Sequence, residues 1–588
     1  MSEASGPLPC RLMAIESTLP AEARDVSRAS SRTPGATASW SAEDAAELYQ
    51  VPYWGNGYFA VSDEGHVVVR PDPAEAREID LLEVVEGLRE RDLHPPVLIR
   101  FSDILAHRLR HLHAAFDRAI AENEYRGRYL AVYPIKVNQQ RPVVDEVFRY
   151  GQRYGFGLEV GSKPELLAVM AMSDTGERPI ICNGFKDDAY IEAVILATKL
   201  GRTIIPVIEN FEEFGLVLKY SEQYGVRPKI GVRTKLASSG AGRWSDSAGQ
   251  RSKFGLFVSE VLHVWEDLVA RDMGDCLKLL HCHPGSQIQD IRALKDAVAE
   301  LAHIFGELVE LGAGLEYIDV GGGLGVDYDG SQSSALSSIN YTLREYASEV
   351  VYRVGSVCDE RGIRHPTIVT ESGRAIAAYH SVLVFNVLGK TGPAHYRSHD
   401  LPAGAAAELD DLPQPIRDLI DAYNSVGEDR LVEPYHDAIT ARDQAIHLFG
   451  VGYLSLALRG LAERLFWATC SRARDVARTL EYPPEELAEL ESILSEIYFC
   501  NLSIFQSLPD AWAIDQLFPV MPIHRLDARP TQRGVLADIT CDSDGKIDRF
   551  IDAGDVKGTL ELHELEPGKE YYLAAFLVGA YQETLGDL

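Results

Sequence analysis

Eight short apolar runs, each separated from the next by a stretch with helical spacing, constrain this chain more than any other feature. The runs are "YLAVYPI" (129–135), "FGLEV" (156–160), "PIICN" (179–183), "TIIPVIE" (203–209), "KIGVR" (229–233), "LKLLHCH" (277–283), "LEYIDV" (315–320) and "PTIVTE" (366–371). Near-continuous apolar runs read as strands covered on both faces, and parallel strands need helical crossovers. Between them "RPVVDEVFRYGQRYG", "KPELLAVMAMS" and "DAYIEAVILATKLG" carry helical periodicity, the last closing at Gly201 as a C-cap. Eight such units predict a (β/α)8 TIM-like barrel. An open doubly wound sheet is the alternative, because the period alone does not establish closure.

Barrel chemistry gathers where strands end. Those positions are Lys136, Glu159, Asn183, Glu209, Arg233, His283, Gly321 and Glu371. Any one of them reads equally well as a solvated strand end; the whole set points to a polar site at one mouth.

The rest of the chain breaks the alternation. Residues 1–40, rich in Ser, Ala, Pro and Thr, read as a disordered tail. Residues 41–95 read as an N-terminal β segment joining a β-domain, with "YFAVSDEGHVVVRP" a hairpin around Asp63, Glu64 and Gly65. The barrel spans 96–390, a connection and helical insertion 391–496, and a C-terminal β-domain 497–588. Within the insertion, 395–430 reads as an exposed connection, 438–480 as one or two helices, and "PPEELAELESILSEIY" as another helix begun by proline. The expectation is thus a barrel flanked by a β-domain drawn from both ends of the chain.

Composition narrows the partners. With 46% hydrophobic residues in 588, large cores are within reach. A net charge of −31 argues against a nucleic-acid backbone as partner, and no apolar stretch is long enough to cross a membrane. Eight cysteines without a CxxC pair fit reduced thiols in the cytoplasm. Acidic Glu3, Glu16, Glu22 and Asp25 count against a transit peptide, which leaves organelle targeting as the lesser alternative.

Lys136 ends its strand as an amine. Partial desolvation lowers a lysine pKa, and the neutral amine forms Schiff bases; a lone strand-end lysine is more commonly solvated. "YIDVGGGLGVDYDG" places Gly321, Gly322, Gly323 and Gly325 after the seventh strand, where barrels hold phosphate on backbone N–H groups. Its spacing and late position do not match the dinucleotide fingerprint. In "TESGRAIAAYHS", Glu371 can pair with a protonated ring nitrogen and Arg374 with a phosphate. His283 can stack on a flat cofactor. A zinc site at His281, Cys282 and His283 is the weaker reading, since adjacent strand residues face opposite ways. "DITCDSDGKIDRF" sets Cys541 and Asp542 before a turn that lacks a calcium loop's later ligands and reads as a hairpin. An amine, a phosphate cradle, a carboxylate and an imidazole together describe pyridoxal 5′-phosphate.

Taken together, "YPIKVNQQ", "GLEVGSKPEL", "CNGFKD", "SKFGL", "DVGGGLGVDYDG", "TESGRAI", "PDAWAIDQLFP", "DITCDSDG" and "VGAYQE" resemble the biosynthetic arginine decarboxylases. These are fold-type III enzymes related to ornithine and diaminopimelate decarboxylases and to alanine racemase. The resemblance implies decarboxylation of L-arginine to agmatine on an agmatine route to polyamines. It implies Lys136 as the cofactor tether, His283 as the stacking residue and Glu371 as the partner of the ring nitrogen. Ser286, Gly321, Gly322, Gly323, Arg374 and Tyr581 are implied as phosphate ligands. Cys541 is implied to protonate Cα from a partner subunit, with Asp542 aiding substrate recognition; Asp510 and Asp515 are candidates for the guanidinium or, equally, turn and cap residues. The resemblance further implies magnesium, with no site legible, and a homodimer or dimer of dimers with shared active sites. Two departures stand out: Pro284, where relatives carry an aliphatic residue, and an end at "LGDL" soon after Tyr581, expected as a truncation of the C-terminal domain. The alternatives are a decarboxylase for ornithine, lysine or diaminopimelate, a non-catalytic cofactor-binding barrel, and a dehydrogenase disfavoured by the glycine spacing.

Overall fold

The computed structural model describes residues 40–586 except 173–177, 238–251, 394–411, 481, 483, 488, 489, 491 and 492. The expected disordered tail therefore lies outside the described residues, Trp40 aside. The eight apolar runs become eight parallel strands: β1 Tyr129–Pro134, β2 Gly157–Val160, β3 Ile180–Cys182, β4 Ile204–Ile208, β5 Ile230–Arg233, β6 Leu277–His281, β7 Tyr317–Asp319 and β8 Thr367–Thr370. They close on themselves, β8 pairing with β1 through Ile368–Tyr129 and Thr370–Ala131. Closure settles the choice against an open sheet.

Burial on both faces explains the unbroken apolar runs. Val132, Ile181, Ile205, Val207, Leu279 and Val369 fill the barrel interior, and the opposite strand faces pack under the helices. One such helix, Asp188–Lys199, shows how the boundaries arise. Asp187 caps its start by accepting from Tyr190 N–H at 2.7 Å. Gly201, at φ +85°, ends it while the N–H groups of Gly201 and Arg202 return to the carbonyls of Thr198 and Ala197.

Strand Ser381–Thr391 carries the chain out of the barrel into a second, eight-stranded sheet. There it pairs with Val97–Arg100, Tyr572–Ala575 and Glu496–Cys500, so segments distant in sequence meet in one sheet. Phe59–Val61, Val67–Val69 and Ile79–Asp80 form a small sheet of their own, tied on by the Val67 N–H to the Ile523 carbonyl at 2.9 Å. Helices Gln414–Ser425, Val432–Gly450 and Leu456–Ala477 pack around a separate core that includes Leu419, Ala438 and Phe466.

One expectation fails here and a second holds only in part. The stretch expected as a connection contains the helix Gln414–Ser425: Pro415 lies in its first turn, and Ile416, Leu419 and Ala422 line its buried side. Proline there starts a helix instead of punctuating a loop. In "PPEELAELESILSEIY" the described residues show a 3-10 turn at Glu485–Leu487 and helix at Leu490 and Ile493, with the Leu494 N–H returning to the Leu490 carbonyl at 2.9 Å; from Glu496 the chain is strand, where pairing with Ser381–Thr391 overrides helix propensity.

Candidate active site

Lys136, His283, Ser286, Gly322, Gly323, Glu371, Arg374 and Tyr581 line one pocket at the mouth of the barrel. Lys136 sits in a single 3-10 turn, Ile135–Val137, directly after β1. Pro134 ends the strand, since it has no N–H to continue a ladder. The Lys136 Nζ lies 3.5 Å from Oε2 of Glu159, whose side chain is fully buried. The sequence reading expected a lowered amine pKa; the structure reverses the sign. The Glu159 carboxylate foremost, with Glu371, raises Lys136 well above its ordinary value against the opposing pull of burial. Burial pushes the Glu159 carboxyl up in turn, and the ammonium beside it pulls it back.

Glu371 follows β8 and points into the same pocket. Its Oε1 accepts from Asn183 Nδ2 at 2.6 Å, and its Oε2 is 3.9 Å from His283 Nδ1. Burial first, then the nearby Asp319 carboxylate, pushes Glu371 up to about 8. His283 moves the other way: burial, then the charges of Arg233 and Lys136, drive it well below the ordinary histidine value, so the ring is neutral.

The glycines after β7 are there for space. A Cβ on Gly321, at φ +67°, would sit 2.3 Å from the Cys282 carbonyl oxygen, and one on Gly323, at φ +117°, 2.6 Å from Ile288 Cδ1. Gly321 N–H donates to Asp319 Oδ1 at 2.9 Å and Gly322 N–H to His283 Nδ1 at 3.3 Å. Two of the three expected phosphate donors thus hold the loop itself. Gly321→Ala is expected to cost more than about 1 kcal/mol, since alanine at positive φ is strained; chemical denaturation of the apo-protein measures it.

Opposite the glycines, Arg374 donates from Nη1 to the Tyr328 hydroxyl at 3.0 Å and from Nη2 to Ser286 Oγ at 3.3 Å. Its guanidinium lies 4.7 Å over the Tyr581 ring, and its Nε is buried with no hydrogen-bond partner among the described residues. A buried arginine beside two hydroxyls is a ready anion site.

Several participants were missed by sequence reasoning. Tyr328 was quoted but not singled out. Glu159 and Asn183 were noted only as strand ends, yet one is the counter-charge of Lys136 and the other binds Glu371. His281 and Asp319 form a fully buried pair, Nδ1 to Oδ2 at 3.0 Å. His281 closes β6 opposite Asp319 on β7, a register that the linear order does not show.

Other expected residues lie outside this pocket. Cys541 and Asp542 occupy a hairpin tip between Gln532–Ala537 and Lys546–Ile547, and Cys541 is exposed. Asp542 Oδ1 accepts from Asp544 N–H at 2.9 Å. Asp510 is buried, its Oδ2 taking a hydrogen bond from Gln582 at 2.8 Å. Asp515 stands 3.6 Å from Arg549 and lines a separate pocket of about 250 Å³ with Trp512 and Asp544.

Comparison with known proteins fits this layout. Residues 107–378 match the pyridoxal-binding domain of pyridoxal-dependent decarboxylases, and 409–491 match the arginine decarboxylase helical bundle domain. The biosynthetic arginine decarboxylase of Thermosynechococcus vestitus is 51% identical over 94% of this chain and 86% of its own length. That of Rhodopirellula baltica is 50% identical over 93% of this chain and 86% of its own. The crystal structure of the Campylobacter jejuni biosynthetic arginine decarboxylase superposes with a TM-score of 0.79 at 34% identity, covering 92% of this chain and 85% of that one. A Helicobacter pylori diaminopimelate decarboxylase shares the fold at 16% identity and TM-score 0.54, over 85% of this chain and 90% of that one. With half of its residues shared over nearly its whole length, and with the barrel and its flanking sheet in common, this chain belongs to the family of biosynthetic arginine decarboxylases.

Proposed function

We propose that the chain decarboxylates L-arginine to agmatine and carbon dioxide in the cytoplasm, as the first step of an agmatine route to putrescine and spermidine. The observation that carries this reading is the convergence of Lys136, Glu371 and Arg374 on one pocket. That pocket fits pyridoxal 5′-phosphate. The glycine loop packs too closely on Cys282, His283 and Ile288 to admit a Cβ, which leaves its backbone exposed along the pocket, and Arg374 keeps an unused buried N–H beside it. Lys136 would hold the aldehyde, Glu371 the ring nitrogen and His283 a ring face. Ser286, Arg374, Tyr581 and the Gly323 N–H would hold the phosphate. The bound cofactor supplies an electron sink for the pair left on Cα when carbon dioxide departs.

The chain's own groups set up that step. Glu371, fixed by Asn183, holds a proton at the ring nitrogen. His283 is neutral and adds no charge to the ring face. Arg374 offsets the phosphate charge. Cys541, exposed on a hairpin outside the pocket, would return a proton to Cα in a neighbouring copy, a role that calls for a homodimer with shared sites or a dimer of dimers. Asp542 on that hairpin contacts substrate. Asp510, engaged by Gln582, and Asp515, beside Arg549, both stay candidates for the guanidinium.

Magnesium rests on the family resemblance alone. Among the described residues the metal-like cluster is His281, His283 and Glu371, with ligand atoms within 4.8 Å of one another. Magnesium takes oxygen ligands, whereas this cluster offers two imidazoles; His283 and Glu371 line the cofactor pocket and His281 pairs with Asp319.

Side-by-side assays with arginine, ornithine, lysine and diaminopimelate test the substrate. Arginine is expected to be preferred by at least about 10²-fold in kcat/KM, as for a site that hydrogen-bonds a distinctive group. A preference for ornithine moves the assignment to the sister activity.

A further inference from the structure

The turn that carries Lys136 is held by the far end of the chain. Asn138, two residues beyond Lys136 and fully buried, donates from Nδ2 to Glu583 Oε1 at 2.8 Å and to the Gly579 carbonyl at 3.1 Å. Its Oδ1 accepts from Gln140 N–H at 3.2 Å, and its carbonyl accepts from the buried Tyr133 hydroxyl at 3.2 Å. Val137, next to Lys136, accepts the Tyr581 N–H at 2.7 Å. Two consecutive residues after the lysine are therefore pinned by the segment Gly579–Glu583.

That segment has little freedom to move. A Cβ on Gly579 would lie 2.0 Å from the Ala377 carbonyl oxygen. Tyr581 is held at φ +70°, a left-handed conformation a tyrosine rarely adopts unless its surroundings impose it. Gln582 is clamped on both sides by Asp510. Glu583 closes the device: its side chain is 1% exposed, and it pairs with Arg100 on the strand Val97–Arg100. Ser381 Oγ reaches the same carboxylate at 3.4 Å. A buried carboxylate is retained only where its oxygens are matched by donors, and here they are matched by Arg100, Asn138 and Ser381.

We propose that Glu583 is a positioning residue of the active site. Its carboxylate bolts Asn138, and so the Lys136 turn, to the flanking sheet while fixing the strained Tyr581 that lies beneath Arg374. One group then sets the relative placement of the cofactor's aldehyde tether and its phosphate end. This rests on the reading of Lys136 as the tether. It adds that the tether is aimed from the C-terminal segment, which the β-domain delivers.

The test measures pyridoxal phosphate affinity of the apo-protein by absorbance titration, alongside melting temperature and arginine kinetics. Glu583→Ala and Asn138→Ala are each expected to weaken the cofactor roughly tenfold, the scale of one lost hydrogen bond to a charged group. Both lower kcat with little change in the KM for arginine. The double variant is expected to be no worse than the poorer single one, since both remove the same link. Glu583→Gln, which keeps an acceptor for Asn138, is expected to recover most of the affinity. Cofactor affinity within twofold of wild type in both Asn138→Ala and Glu583→Ala overturns the proposal, as do losses in the two single variants that add in the double one; if Glu583→Ala does not fold, an Asn138→Ala variant within twofold of wild type is enough to overturn it. Lys136→Ala is run in parallel: if it still develops the tethered-cofactor absorbance, the reading of the tether has failed, and that result is distinct from a failure of the Glu583 link.

Discussion

Lys136→Ala is expected to lose both the visible absorbance that follows pyridoxal phosphate addition and the production of agmatine. Loss of the tethering amine is expected to lower turnover by about 10⁴ or more, equivalent to about 5.5 kcal/mol of barrier. Charge alone does not explain the effect, and Lys136→Arg separates the two roles. Arginine keeps a cation beside Glu159, but its guanidinium stays protonated and forms no bond to an aldehyde. Equal inactivity of both variants, with a wild-type melting temperature only for Lys136→Arg, is the expected pattern. Alanine leaves the fully buried Glu159 without its cation. The sign of the pH effect follows from the raised amine pKa. The ion pair's contribution to stability is present below the free-lysine value of 10.5 and lost as pH rises through the raised one. The melting difference between wild type and Lys136→Ala is thus largest at neutral pH and shrinks in strong alkali. Agmatine formation by Lys136→Ala at more than a hundredth of the wild-type rate sinks the assignment.

The sign of the Lys136 shift illustrates what was hidden in the sequence. That an amine ends β1 was plain, because strand ends follow from where apolar runs stop. The amine's neighbours depend on the barrel's register: β1 pairs with β2 so that Pro134 lies opposite Glu159. Nothing in the linear order ranks that carboxylate above desolvation. Glu371 was easier to read, since it ends the last strand and closure of the barrel brings it to β1. The His281–Asp319 pair depends on the register of β6 against β7, which leaves no trace in the linear order.

The C-terminal segment was the least legible part. Tyr581 was noted through family resemblance, yet its backbone bond to Val137 spans more than four hundred positions and leaves no local trace. Asp510 illustrates the same limit. Its carboxylate suggested a guanidinium partner, whereas folding gives it Gln582, a residue in the very segment that supports Lys136. The helix at Gln414–Ser425 was misread for a local reason: proline is compatible with both a loop and a first helical turn, and only the buried spacing of Ile416, Leu419 and Ala422 decides between them.

Glu371→Gln is expected to lower kcat by about 10²–10³, or about 2.7–4 kcal/mol, the usual scale for removing one preorganised electrostatic contact. Glutamine preserves shape and can still accept from Asn183, so the loss isolates the carboxylate's ability to hold a proton on the ring nitrogen. The KM for arginine is expected to change little, because the amino acid meets other groups. A second readout needs no cofactor. In the apo-protein burial raises Glu371 from 4.5 to about 8. A carboxyl with a raised folded-state pKa contributes stability that is full below its unfolded value and is lost as pH rises through the folded one. Wild type therefore sheds this contribution between about pH 4.5 and about pH 8, whereas glutamine does not titrate. Glu371→Gln is expected to gain stability relative to wild type across that window, measured by urea unfolding of the apo form. Parallel stability profiles for the two proteins would place the titrating proton on another group, and a kcat within tenfold of wild type would remove Glu371 from the ring nitrogen.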